Sequence, residues 1–449
     1  MAEATSKVVD KFGDYALTPV PKSERKTLLN QFLVNAGYII CLAGLFSGAS
    51  LGQGMTLKNA IIATLIGSFI LALYASLTAI PAAKYGVSTT VLGRHAFGRW
   101  GVVIIALIIF ILNGVGWFAY ETALFGLTLQ EMFPGHFITN WQVASIWGGI
   151  LMMTTAIIGY RAIGVLSFLA VPLIATLSLA GLAGATAQVG GFSKLFEILP
   201  PGEPLTIATA VTITVGYFAI GAACQPDIAR YAKNEKVAVG SVFAGFLLAN
   251  PLIMLAGTAM ILVTSTAGVG TTPNLPKAML SLGLGAGALA VAALGQWTTN
   301  DNNLYTGSLA LVNIIPLPKK LLAAVVGIAG TIIAAIGIYQ YWVPWLIFLG
   351  VFVPPMAGVM IADYYVLRRM NKKHYAFGPG TRYSKFDISG LLSFLLAGLL
   401  AKYVLVSSVI PGAIIGLALG FVLHIVLTYV LDPIKLARVG IVEESEYGF

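Results

Sequence analysis

Residues Gly295-Gln296-Trp297-Thr298-Thr299-Asn300-Asp301-Asn302-Asn303-Leu304 set two hydroxyls, four amides and a carboxylate in an otherwise apolar region. The flanks, Met279 to Leu294 and Leu309 to Ile315, are largely apolar. The stretch reads either as a long loop between two shorter helices or as the polar middle of a membrane helix. Polar and ionisable groups at membrane depth are costly unless they face a cavity, an ion or a partner, so the second reading makes the stretch a functional site.

The chain around it is built for a membrane. Of 449 residues, 58% are hydrophobic and 10% charged, where soluble domains carry about 25% charged residues. Apolar segments of spanning length fall at about 29–51, 58–81, 100–129, 141–160, 162–189, 206–225, 237–266, 279–314, 320–338, 342–366, 388–407 and 411–431. They predict an all-α membrane protein with twelve transmembrane helices in a single domain, 29–432. A polar segment, 1–28, precedes that domain and a tail, 433–449, follows it. The first segment has no apolar core ahead of a cleavage site, so no signal peptide is expected. Cys41 and Cys224 lie within apolar runs and imply no disulfide framework.

A net charge of +9 fits membrane topology better than nucleic-acid binding, because the basic residues sit in loops rather than on one soluble face. With a cytoplasmic N-terminus, 22 of the 26 lysines and arginines fall inside; only Lys58, Lys194, Lys277 and Lys402 fall outside. That asymmetry predicts a multi-pass protein of the cell membrane with both termini cytoplasmic.

Spans one and six look built to break. The first carries Asn35-Ala36-Gly37, then Gly44, Ser47, Gly48 and Ser50; the sixth carries Gly216-Tyr217-Phe218 and Gly221 and ends at Gln225-Pro226-Asp227. If the first ten spans form two five-helix halves, 29–189 and 206–366, these two correspond and cross in opposite directions. Unwound segments at corresponding places mark a transporter's binding site; small residues packing between helices give the same pattern.

Several side chains suit a flat ring. Trp117 and Glu121, in Asn113-Gly114-Val115-Gly116-Trp117-Phe118-Ala119-Tyr120-Glu121, lie one helical turn apart on one face. An indole stacks on a heterocycle while a carboxylate accepts from its N–H groups. Phe218 offers an opposite face, and Asn300, Asn302 and Asn303 offer amides to a base edge. Thr298 and Thr299 offer hydroxyl oxygens, either to their own helix or to a hard cation beside carbonyls freed near Gly37. Asp301 reads as a proton carrier or as a partner for an amide or helix end. Asp227 with Arg230, and Asp363 with Arg368 and Arg369, read as solvated ion pairs at helix ends. The histidines show no metal spacing, and no phosphate loop, nucleophile elbow or cysteine cluster is present. Neither an enzyme nor an ATP-coupled pump with an ATPase partner is expected.

Four motifs carry a resemblance. Trp297-Thr298-Thr299-Asn300-Asp301-Asn302 resembles the eighth-helix signature of bacterial cytosine permeases, and Pro226-Asp227-Ile228-Ala229-Arg230-Tyr231 their exit from helix six. The run Pro354-Pro355-Met356-Ala357-Gly358-Val359-Met360-Ile361-Ala362-Asp363-Tyr364-Tyr365 is similar to their tenth-helix ending. With Gly116-Trp117-Phe118, these motifs identify the chain as a member of the nucleobase–cation symporter-1 family, from about Pro19 to the end of span twelve. The resemblance implies the LeuT-type fold: two inverted five-helix repeats plus two C-terminal helices, 388–431. It implies import of a nucleobase or related heterocycle with sodium or protons. Trp117 and Phe218 then stack on the substrate, Glu121 bonds the ring, Gly216 and Tyr217 supply the backbone of a broken helix, and either Asn302 or Asn303 is the family's helix-eight asparagine. The sodium site maps to carbonyls of Gly37, Ile40 and Gly295 and the hydroxyls of Thr298 and Thr299. Two positions depart from the cytosine permeases: Gly114 replaces a glutamine and Tyr217 a serine. An ionised Glu121 favours a ring presenting an amino group beside a ring N–H, as in cytosine or a purine. The alternative cargo is allantoin, a hydantoin or a vitamin precursor such as a pyridoxine- or thiamine-like ring, with proton coupling.

Overall fold

The computed structural model describes residues 14–266, 268, 272–370 and 375–444. The basic residues Lys7, Lys11, Lys372 and Lys373, with His374 and the outer parts of both terminal segments, lie outside the described residues. Each of the twelve apolar segments falls on helix. In chain order the helices are α1 (Leu28–Ile39) and α2 (Leu42–Gly54), then α3 (Leu57–Tyr85) and a short α4 (Thr89–Phe97) that lies between two of the apolar segments. Next come α5 (Gly101–Met132), α6 (Trp141–Ile158), α7 (Tyr160–Gln188), α8 (Ile207–Ala223) and α9 (Glu235–Thr264). The last are α10 (Ala286–Val312), α11 (Lys319–Ala335), α12 (Ile338–Leu367), α13 (Ile388–Val404) and α14 (Gly412–Leu431). Among the described residues, seven helices are long and apolar enough to cross a membrane, and α1 with α2, bent by 52°, makes an eighth. The helices α8 and α13 are apolar but shorter.

The polar stretch is helical: α10 runs through residues 295–304 without interruption. The loop reading is excluded. The apolar segment 279–314 is not one helix, however; a short helix, Leu275–Ser281, ends in a turn at Gly283 (φ 78°) before α10 begins.

The first break is real but displaced. Asn35, Ala36 and Gly37 are helical, and the chain leaves the helix at Ile40 and Cys41. The second expected break is absent: Gly216, Tyr217 and Phe218 lie within α8, and the turn comes at Cys224–Gln225 before the short helix Pro226–Ala229. Gly216 serves close packing instead. A Cβ there would meet the Leu346 carbonyl oxygen of α12 at 1.8 Å, so the two backbones touch where a side chain would hold them apart. A like contact joins α2 and α9, where a Cβ on Gly48 would meet the Met254 carbonyl at 1.8 Å. In α5, residues Phe110–Trp117 form a π-helical segment, a wound-out stretch often found at functional sites.

Two strands, β1 (Arg382–Asp387) and β2 (Arg438–Glu443), pair antiparallel; the described part of the C-terminal tail is therefore docked on β1. Glu444 is buried and accepts from Arg94 of α4 at 2.5 Å and from the Tyr383 hydroxyl at 3.0 Å. Of the pairs read as solvated, Asp227, Arg230 and Asp363 are buried, whereas Arg368 is half-buried and Arg369 exposed. The Arg230 guanidinium donates to the carbonyls of Tyr15 (2.6 Å) and Asp14 (2.8 Å) and to the Tyr305 hydroxyl (2.8 Å). The Asp227 carboxylate caps α4 through the Thr89 N–H at 2.8 Å. Asp363 accepts from the Tyr375 hydroxyl at 2.6 Å and lies 3.2 Å from Nε2 of His424 on α14. A charge at a helix end looks solvated in sequence, but here the N-terminal segment, α4 and α14 cover these ends.

Candidate functional site

The break between α1 and α2 organises the site. An unbroken helix would bond the carbonyls of Gly37, Tyr38 and Ile39 to N–H groups four residues on. At the break those carbonyls need other donors, because buried backbone groups do not go unpaired. Thr298 of α10 places its hydroxyl 2.9 Å from the Gly37 carbonyl, Thr299 donates to Tyr38 at 3.2 Å, and the Tyr217 hydroxyl of α8 donates to Ile39. On the other side, the Leu42 N–H donates to Oε1 of Gln296 at 3.1 Å, while Gln296 Nε2 donates to the Glu121 carbonyl at 3.0 Å. Five side chains and carbonyls from α5, α8 and α10 thus hold the break open.

Thr298 Oγ1 also lies 2.9 Å from the Gly295 carbonyl. One hydroxyl proton serves one carbonyl at a time, so Gly37, Gly295 and Thr298 make a cluster of neutral oxygens of the kind a hard cation accepts. Of the expected sodium set, these three converge. Thr299 points to the Tyr38 carbonyl rather than to Ile40, which forms the break itself.

Beside this cluster, Tyr38, Asn113, Trp117, Glu121, Phe218 and Asn303 line a buried cavity, joined by Tyr217 and Thr299. The expected ring-binding side chains are brought together. Tyr38 and Phe218 meet edge to face at 4.7 Å, and Trp117 and Tyr217 likewise at 6.1 Å. The Glu121 side chain is fully buried; Oε1 is 3.3 Å from the Cys41 thiol, and Oε2 faces no hydrogen-bond partner. Unpaired buried carboxylate oxygen is costly, and here it belongs to a residue lining the cavity. The cavity measures about 10 Å³, far below the ~300–1,000 Å³ of small-molecule pockets, so the site is contracted and its rings must part to admit a ligand. A larger cavity of about 660 Å³ lies apart, between Asp14, Lys26 and Phe168, on mixed charges.

The two asparagines separate. Asn303 lines the cavity, whereas Asn302 donates back to the Thr298 carbonyl of its own helix at 3.0 Å. Asn300 is spent on the Thr122 hydroxyl at 2.9 Å and the Phe118 carbonyl at 3.2 Å, and Asp301 faces α6 through Thr155. Gly114 does not face the ring: a Cβ there would lie 2.9 Å from Cα of Gly307, so α5 and α10 cross at paired glycines. Sequence reasoning assigned no role to Tyr38, Cys41, Asn113 or Gln296. Asn113 and Gln296 carried a signal, as amides within apolar spans; Tyr38 and Cys41 carried only their closeness to Gly37. Among the described residues, no group of three or more His, Cys, Asp or Glu is placed to hold a metal.

The family model described as permease for cytosine/purines, uracil, thiamine, allantoin matches residues 19–431. The cytosine permease of Escherichia coli (strain K12) is 34% identical over 365 residues, covering 81% of this chain and 83% of that permease. The chain belongs to the nucleobase–cation symporter-1 family. As a member of it, the protein is a multi-pass membrane transporter and not an enzyme. The hydantoin permease of Microbacterium maritypicum is 23% identical over 407 residues, 79% of each chain. The structure of Mhp1, a nucleobase–cation symporter-1 transporter in a closed conformation with bromovinylhydantoin bound, has a TM-score of 0.79 at 18% identity. It covers 94% of this chain and 96% of that one, which shows a common fold.

Proposed function

We propose that this nucleobase–cation symporter imports an aminated nucleobase, cytosine or a purine, together with sodium by alternating access. The observation that carries the reading is the unpartnered Glu121 Oε2 in a cavity walled by Trp117 and Phe218. Two adjacent N–H groups of a ring, one from an amino group, would satisfy that carboxylate while the aromatic rings stack on its faces. Asn303 would bond another edge. Sodium would sit among the oxygens of Gly37, Gly295 and Thr298, with Thr299 beside them, and hold α1 against α10. Substrate would then shift the population toward closure. In this reading the domain 29–432 crosses the membrane twelve times, with two inverted repeats, 29–189 and 206–366, and two further helices. Residues 1–28 and 433–449 are cytoplasmic.

A second reading keeps the fold and changes the coupling. Glu121 would carry a proton, and the cargo would be allantoin, a hydantoin or a thiamine- or pyridoxine-like ring; the family description, which includes allantoin and thiamine, favours keeping it in view.

A thermal-shift panel of nucleobases, hydantoins and vitamin rings separates the two. Ligands that bind the folded state stabilise it by mass action, about 2.7 kcal/mol at a hundredfold excess over Kd. Cytosine, adenine or guanine is expected to raise Tm most; a panel led by a hydantoin or a vitamin ring would replace the cargo assignment. Within the site, Asn303→Ala is expected to weaken the preferred base about tenfold, the worth of one hydrogen bond to a polar ring. Asn302→Ala should leave equilibrium binding nearly unchanged, because that amide is occupied by its own helix. The reverse order of effects would remove Asn303 from the site.

A further inference from the structure

Away from the central site, a cavity of about 650 Å³ opens where β1 meets the start of α5, lined by Arg99, Trp100, Val103, Ile314, Pro316 and Lys385 among others. Its walls are mainly apolar. The N–H groups of Arg99 and Trp100 donate to the carbonyls of Ser384 and Lys385, both at 2.8 Å, and pin β1 to the mouth of α5. Trp100 is 52% exposed and immediately precedes a 32-residue apolar helix, the level at which tryptophans mark the membrane–water boundary. Val103 lies one turn deeper. The groove therefore begins at headgroup height and descends beside hydrocarbon.

Its charge is of one sign. Arg99 and Lys385 are cationic, and none of the described residues lining the groove is acidic. The Glu444 carboxylate nearby is taken up by Arg94, by Tyr383 and by the Gly378 N–H at 3.1 Å. Burial, and next the charge of Arg94, pull the pKa of the buried Arg99 down to about 10, against the opposing pull of the Glu444 carboxylate.

We propose that this groove is a binding site for an anionic phospholipid of the adjoining leaflet, its phosphate held between Arg99 and Lys385 and an acyl chain lying along Trp100, Val103, Ile314 and Pro316. A guanidinium and an ammonium at headgroup height match a lipid phosphate, and the apolar wall takes the chain. Such a lipid bridges the start of α5 and the end of α10, the helices that carry Trp117, Glu121 and Thr298.

The full-length protein in mixed micelles, titrated with phosphatidylglycerol or with phosphatidylcholine of the same chains, tests this through Tm. Phosphatidylglycerol is expected to raise Tm and phosphatidylcholine to leave it unchanged. Lys385 is exposed, so Lys385→Gln folds as the parent does and should weaken the phosphatidylglycerol response about fivefold; Trp100→Ala should weaken it as well. Inorganic phosphate alone should have no effect. Equal responses to both lipids, reproduction of the shift by phosphate, or an unchanged response in both variants would each overturn the proposal. So would light scattering that shows the two variants altering self-association instead, which would make the groove an interface between copies.

Discussion

Replacing Glu121 with glutamine is expected to weaken binding of an aminated base by roughly 100-fold. The carboxylate is fully buried, and one oxygen is only loosely engaged by the Cys41 thiol while the other has no partner. Hydrogen bonds to a charged group contribute about 1.5–3 kcal/mol each, and glutamine exchanges one acceptor for a donor that faces the donors of the ring. Uracil lacks the amino group, so the ratio of cytosine to uracil affinity should fall with the substitution. Equilibrium binding of both bases reads the result. If Glu121 only braces the break through Cys41, the variant lowers Tm and leaves that ratio unchanged. Under proton coupling, binding persists and the pH dependence of transport disappears.

Thr298→Ala should abolish the sodium stimulation of substrate binding while leaving a weak, sodium-independent affinity. The substitution removes the one hydroxyl that sits between the Gly37 and Gly295 carbonyls. Coupling between sites is usually 1–3 kcal/mol, or 5–150-fold in affinity, and the variant forfeits it. Thr298→Ser retains the oxygen and should restore the stimulation. A purely structural Thr298 that staples α1 to α10 gives a different outcome: Tm falls equally in sodium and in choline, and the remaining binding keeps its sodium dependence.

Much of this was legible from residues alone because lipid imposes a long apolar period, against which Trp297 to Asn303 and Trp117 to Glu121 stand out. The break in the first helix was visible through Gly37, yet it lies at Ile40 and Cys41; a glycine signals permitted bending without fixing its place. Gly216 misled for a related reason. Absence of a side chain serves unwinding and close packing equally, and only the Leu346 carbonyl 1.8 Å from its missing Cβ decides for packing. Asn302 and Asn303 differ by about 100° around a helix, so a one-residue ambiguity spans the difference between cavity and self-bonded amide. The pairing of β1 with β2 joins residues from Asp387 with Arg438 to Arg382 with Glu443, 51 to 61 positions apart, across α13 and α14, and strand alternation in either segment says nothing of a partner that distant. Arg230 and Asp363 looked solvated because burial by other segments is a tertiary fact.

The most direct test of the account is the dissociation constant of the preferred base for the wild-type protein in sodium and in choline at equal ionic strength. The account predicts tighter binding in sodium by about 5–150-fold, with sodium affinity raised by the same factor when the base is present. Identical constants in the two salts would contradict it.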